Sequence, residues 1–164
     1  RIDQLDGRLN AFCHTDREGA AQAAAQSRDR WALGKPMGPL DGVPVSIKDL
    51  ILTRGMPTLR GSRTVDPQQA WEVDAPATAR LREAGAVILG KTNTPEFGCK
   101  AETNSPRTGI TRNPWNLDKT PGGSSGGTAA AAELTVEPAH ETKGTPDLRR
   151  PFFHARTRRK NARA

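Results

Sequence analysis

The stretch that most restricts what this chain can fold into is Thr120-Pro121-Gly122-Gly123-Ser124-Ser125-Gly126-Gly127-Thr128, followed at once by Ala129-Ala130-Ala131-Ala132-Glu133-Leu134. Four glycines around two serines give a backbone that enters conformations closed to residues with a Cβ and brings main-chain N–H groups close to a ligand. Such a composition builds either a flexible linker or a site. The alanine run is strongly helix-forming, and a glycine loop that opens a helix gathers N–H groups and the helix dipole on one point. A nucleotide loop would need Lys-Ser or Lys-Thr after its last glycine, whereas Gly127-Thr128-Ala129 follows here, so no nucleotide site is indicated.

Upstream, Val43, Val45 and Ile47 alternate on one face of a predicted strand, with Lys48 at its C-terminal end. Asp74-Ala75-Pro76 opens a helix, with Asp74 as N-cap, Pro76 in the first turn and Gly85 closing it. Val87-Ile88-Leu89 is a short apolar strand. Strand, helix, strand predicts a βαβ unit and a parallel sheet covered by helices. Active sites of open α/β sheets collect outside the carboxyl ends of strands, which is where Lys48 and the run Lys91-Thr92-Asn93-Thr94 fall. Taken alone, a strand-end lysine reads as a solvated side chain.

The N-terminal part is read as the end of a helix over residues 1–6, a turn at Gly7 and a short strand at Leu9-Asn10-Ala11-Phe12. Thr15 with Glu18 fits a capping box ahead of an alanine-rich surface helix ending near Leu33-Gly34. Residues 53–69 carry Gly55, Pro57, Gly61 and Pro67 without periodicity and read as a long loop over the site. Trp115 is assigned to packing. Cys13 and Cys99 are far apart and outside any metal-ligand spacing, so each is expected as a buried free thiol, with no metal and no disulfide framework.

Charge divides the chain. After Pro138 eight basic residues face Glu141 and Asp147, which leaves the body nearly neutral although the whole carries +7. A basic protein suggests a nucleic-acid or anionic membrane partner, but here the excess belongs to residues 138–164, which hold neither helical nor strand period and are expected to be a disordered basic tail. No apolar run approaches the ~18 residues of a membrane span. Residues 1–137 are expected to form one partial domain. The first residue, Arg1, falls in what reads as mid-helix, so an upstream segment is expected.

The glycine–serine loop together with Lys48 resembles the amidase signature family, which uses a Ser–cis-Ser–Lys triad. The likeness extends over Gly38-Pro39-Leu40-Asp41-Gly42-Val43-Pro44-Val45-Ser46-Ile47-Lys48-Asp49, Gly90-Lys91-Thr92-Asn93-Thr94-Pro95-Glu96-Phe97-Gly98 and Thr111-Arg112-Asn113-Pro114-Trp115-Asn116, in the family's order and at about its spacing. It runs from Arg1 to about Leu134. The resemblance implies a partial amidase-signature α/β fold with a mixed, mostly parallel sheet, an amide substrate, no cofactor and a cytoplasmic setting. It implies Lys48 as base, Ser124 as proton relay joined to Gly123 by a cis peptide, and Ser125 in a supporting hydrogen bond. Lysine serves as a base only when neutral, so burial without a carboxylate partner has to lower its pKa from about 10.4. Asp49 need not be that partner, since neighbouring strand residues point to opposite faces.

The third member is missing from the expected place. The family's acyl-forming serine follows the relay serine by about two dozen residues in a glycine-rich turn. Here that distance falls in Gly144-Thr145-Pro146-Asp147-Leu148, and no serine occurs after Ser125. Thr135, Thr142, Thr145 and Thr157 lack such a turn, and Pro146 has no N–H for an oxyanion. The change near Glu133 reads as a frame shift or a degenerate end. The expectation is therefore an amidase-family chain, acting on amides by a Ser–cis-Ser–Lys mechanism when complete, that lacks its nucleophile and is inactive, with a basic nucleic-acid-binding protein or a remnant without function as alternatives.

Overall fold

The computed structural model describes residues 1–135. The elements run α1 (Ile2–Leu9), β1 (Phe12–Thr15), α2 (Arg17–Ala32), β2 (Pro44–Lys48), α3 (Pro76–Glu83), β3 (Val87–Thr92), a short hairpin of β4 (Asn104–Ser105) and β5 (Gly109–Ile110), and α4 (Gly126–Thr135).

The main sheet has the order β1-β3-β2. β2 and β3 are parallel, with Pro44 opposite Val87 and Lys48 opposite Thr92, so the βαβ unit forms as expected. β1 pairs antiparallel to β3. The expectation of a mostly parallel sheet is thus corrected to one parallel and one antiparallel pairing, because β1 lies on the side of β3 away from β2 and runs opposite to it. A bulge at Leu89 interrupts the alternation of side chains along β3. Ile88 joins Ile47 and Met56 on one face, with Val45, Ile51 and Leu81 of α3 packed around them. Leu89 packs on the other, against Leu9, Ala11, Phe12, Ala130 and Ala131. Each larger aliphatic side chain so buried contributes roughly 1.5–3 kcal/mol. α4 fits this second face because its buried residues are Gly126, Gly127, Ala130 and Ala131, small enough to let its backbone lie close to the strands.

Several local expectations are corrected. Gly7 does not turn the chain; it lies inside α1, which runs on through Leu9 and ends at Asn10 in the left-handed region (φ 51°). The strand accordingly starts at Phe12 rather than Leu9. The Asp6 carboxylate accepts the freed N–H groups of Ala11 and Phe12, at 2.7 and 3.2 Å, which fixes this later switch. α2 is capped by Asp16, not Thr15, through a 2.9 Å bond from Gly19 N–H. At α3 the N-cap is Ala75, with Pro76 opening the helix. Asp74 instead accepts Arg54 N–H and pairs with Arg82, tying the long loop to the helix. Cys99 is exposed while Cys13 is half-buried, and both are free. Trp115 is 40% exposed and anchors no core.

The long loop is pinned rather than loose. Asp41, with its side chain fully buried, takes both arms of the Arg30 guanidinium at 2.8 and 2.6 Å and so joins α2 to the turn before β2. Residues 52–71 enclose a cavity of about 350 Å³ lined by Leu52, Arg60, Val65 and Trp71 among others; neither Lys48 nor Ser124 reaches it. The expectations for residues 138–164 lie outside the described residues.

Candidate functional site

Lys48 is the last residue of β2, and its side chain leaves the sheet at the carboxyl edge, half-buried. Its Nζ donates to Ser124 Oγ at 2.6 Å and to Ser125 Oγ at 3.0 Å. Burial lowers the Lys48 pKa from the ordinary lysine value, and among the described residues no carboxylate comes within 4 Å of it to oppose that shift.

The glycine loop owes its shape to what presses on it. The Gly123–Ser124 peptide is cis. A Cβ on Gly123 would lie 2.6 Å from the backbone N of Glu102, and one on Gly126 would lie 2.3 Å from Thr103 Oγ1, so residues 101–103 leave no room for a side chain at either place. The Thr103 hydroxyl closes the clamp: it donates to Gly122 O at 2.9 Å and accepts from Gly126 N–H at 3.0 Å. Thr94, on the chain leaving β3, donates to Ser124 O at 3.2 Å. α4 starts at Gly126, directly after the serine pair, and Ala129 N–H bonds to Ser125 O, so the serines stand at the helix N-terminus. A hydroxyl bond of 2.8 Å between Thr92 and Thr128 ties α4 to the end of β3.

Asp49 is directed away from Lys48. It is buried and accepts Leu59 N–H and Gly61 N–H at 3.0 and 3.2 Å. Desolvation raises its pKa, against the smaller opposing pull of those N–H groups and Lys91. Lys91 is itself fully buried, its Nζ bonded to Ile51 O and Thr58 Oγ1 at 2.6 Å each and to Thr53 Oγ1 at 3.3 Å. Desolvation moves it down, against the pull of Asp49.

The four residues expected at the site, Lys48, Gly123, Ser124 and Ser125, are therefore brought together, and the Lys48–Ser124 distance of 2.6 Å lies just under the usual ~2.7–3.2 Å for an N–H···O bond. Sequence reasoning placed Lys91 and Thr94 at the right sheet edge but missed the roles of Lys91, Thr94 and Thr103. The only signal for them was the polar run 91–94 directly after an apolar strand. Among the described residues no group of three or more His, Cys, Asp or Glu side chains converges on a point that could hold a metal. No described helix is long and apolar enough to cross a membrane.

A parallel β2–β3 pair carrying an edge lysine bonded to a serine beside a cis peptide belongs to a class known from sequence and structure alike. The profile of the amidase family matches residues 1–136, and the chain belongs to the amidase signature family. It is 48% identical over 133 residues to a glutamyl-tRNA(Gln) amidotransferase subunit of Salinispora arenicola, covering 80% of this chain and 26% of that protein. A crystal structure of an amidase superposes with a TM-score of 0.73 at 37% identity, covering 81% of this chain and 30% of that one. A bacterial aryl acylamidase of the same family superposes with a TM-score of 0.72 at 38% identity, over 79% of this chain and 27% of its own. The chain thus spans 26% of that curated relative's length.

Proposed function

We propose that residues 1–135 supply the base and the proton relay of an amide hydrolase site. In the complete reaction a carboxamide becomes a carboxylate and ammonia or an amine, without metal or organic cofactor. The observation that carries this is the 2.6 Å bond from Lys48 Nζ to Ser124 Oγ, beside the cis Gly123–Ser124 peptide. Neutral Lys48 accepts the proton of the Ser124 hydroxyl while Ser124 accepts one from an attacking hydroxyl. The same chain run backwards delivers a proton to the departing amine. Ser125, at 3.0 Å, steadies the lysine through both directions. Desolvation makes the neutral amine more accessible than in water.

The acyl-forming hydroxyl is the part this chain does not offer. With no serine after Ser125 and Pro146 in place of a donor glycine, both the covalent step and the oxyanion hole are lost, a deficit on the order of 10⁶ in rate. The chain alone is read as inactive. A cytoplasmic setting accompanies this reading. The 48% identity to the tRNA-dependent amidotransferase, higher than that to the solved amidase, favours as a second reading a protein that frees an amide nitrogen for a partner to use. The nucleic-acid alternative rests on residues after Pro138, outside the described residues.

Two experiments test the proposal. Ammonia release from glutamine, acetamide and benzamide by the purified chain is expected to stay at the buffer rate; turnover that disappears on Lys48→Ala would refute the missing nucleophile. A chimera in which residues 1–134 replace the matching stretch of a full-length family member is expected to hydrolyse amides and to lose that activity on Lys48→Ala or Ser124→Ala. A chimera that folds, works and tolerates both substitutions would refute the assigned roles.

A further inference from the structure

Besides the Lys48–Ser124 pair, the fold buries a second set of titratable groups on either side of β3. Lys91 and Asp49 are fully buried, and Cys13 lies close enough to feel both, its thiol sharing a 3.4 Å contact with Lys91 O. The Thr53 and Thr58 hydroxyls each donate to Ile51 O, at 3.2 and 3.4 Å. Their lone pairs are left for Lys91, which thus meets three acceptors and no donor, the arrangement an ammonium requires. Asp49 meets two N–H donors, as a carboxylate requires. Two opposite charges are held inside the protein without touching, one on the strand beside Lys48 and one on Lys48's own neighbour.

A carboxylate adjacent to a base lysine works against it, because an opposite charge within ~4–6 Å favours the ammonium form. We propose that Lys91 is a positioning residue for Lys48: its buried ammonium balances Asp49 and keeps that carboxylate on the far side of β2, leaving Lys48 with hydroxyl partners alone. The backbone shows how. Asp49 N–H bonds to Thr92 O, which locks the reversal of side-chain direction after Lys48, and Lys91 straps residues 51–58 over the carboxylate. The other elements around Lys48 bring little charge to it. The glycine loop and the start of α4 present Ser124 and Ser125. In the turn over Glu96–Gly98, which approaches Ser124, Glu96 is engaged by Ser62 Oγ at 2.8 Å, and Cys99 beyond it is exposed. Asp49 is the carboxylate that matters, and Lys91 decides what it does.

The proposal rests on Lys48 being the base, but its readout is the proton affinity of Lys48, so failure to hydrolyse any amide would leave it standing. The full chain is trace-labelled with acetic anhydride across a pH series, and acetylation at Lys48 is followed by peptide mass spectrometry in parallel with thermal melts. Lys91→Met strands the Asp49 charge, so Lys48 labelling near neutral-to-alkaline pH is expected to fall about tenfold. The double variant Lys91→Met/Asp49→Asn removes both charges and is expected to return labelling to within about twofold of the parent. A purely structural Lys91 would lower the melting temperature in both variants and leave the pH profile of Lys48 where it was; that result overturns the proposal. Should Lys91→Met fail to fold, Asp49→Asn alone decides: it leaves Lys91 without its counter-charge, Lys48 labelling is expected to rise, and an unchanged profile overturns the proposal.

Discussion

Replacing Gly127 by alanine tests how closely α4 is seated on the sheet. In an ordinary helix the exchange helps by up to about 1 kcal/mol. Here the new Cβ would stand 2.4 Å from both N and O of Asn93 and 2.8 Å from Ala11 O, all backbone atoms that cannot rotate aside. Relaxing those contacts to van der Waals distance moves the start of α4 outward by about 1 Å. Such a shift breaks the 2.8 Å Thr92–Thr128 hydroxyl bond, worth about 1 kcal/mol. It also loosens Ala130 and Ala131 against Leu9 and Phe12, where forced overpacking adds about 1–3 kcal/mol. A net loss of about 1–3 kcal/mol lowers the melting temperature by roughly 3–9 °C for a chain of this size. Gly7→Ala is the matched control: Gly7 is also helical, nothing lies within 4 Å of its added Cβ, and a gain of about 0.5–1 kcal/mol is expected. Thermal and urea melts followed by far-UV circular dichroism measure both. If Gly127→Ala melts at or above the parent temperature, α4 is not seated as described and the placement of Ser124 beside Lys48 loses its support.

The two thiols should separate cleanly. Burial pushes Cys13 up to about 12, so near pH 8 only about 10⁻⁴ of it is thiolate, and limited treatment with a disulfide reagent should modify exposed Cys99 alone, as read by peptide mass. The Arg30 guanidinium holds the Asp41 carboxyl well below the usual range. With a depressed folded-state pKa, its stabilisation is present above the unfolded value of about 3.9 and is lost as pH falls through the folded one. Asp41→Asn should therefore lower the melting temperature at neutral pH, with the gap to the parent closing only in strong acid; a gap that does not vary with pH would refute the pairing. Ser124→Ala removes the nearer of the two hydroxyls on Lys48 and, since a hydroxyl both donates and accepts, should alter Lys48 acetylation while changing stability by less than about 1 kcal/mol.

The site was more legible than the local structure around it. Lys48, Gly123, Ser124 and Ser125 were named through the resemblance to the amidase signature family; periodicity and glycine place them only at a strand's end, in a glycine-flanked turn and before a helix start, where a lysine by itself reads as solvated. The helix ends were read less well. Asp16 rather than Thr15 caps α2, and Asp74 leaves the cap of α3 to bind Arg54 and Arg82, since a short polar side chain has several nearby donors and sequence spacing does not rank them. Gly7 reads as a turn yet is helical, because the carboxylate of Asp6 reaches Ala11 and Phe12 and moves the break beyond it.

By itself the sequence determined the parallel β2–β3 unit, the strand-end place of Lys48 and the helix that follows the serines, all of which follow from periodicity and from glycine. Only the tertiary structure decided that Asp49 turns from Lys48 to the backbone of Leu59 and Gly61, that Lys91 is drawn wholly inside, and that Thr94 and Thr103 grip the serine loop. Those are choices among polar partners far apart in the chain. They are settled by which donors and acceptors burial brings within about 3 Å of each other, a quantity that no local pattern of residues encodes.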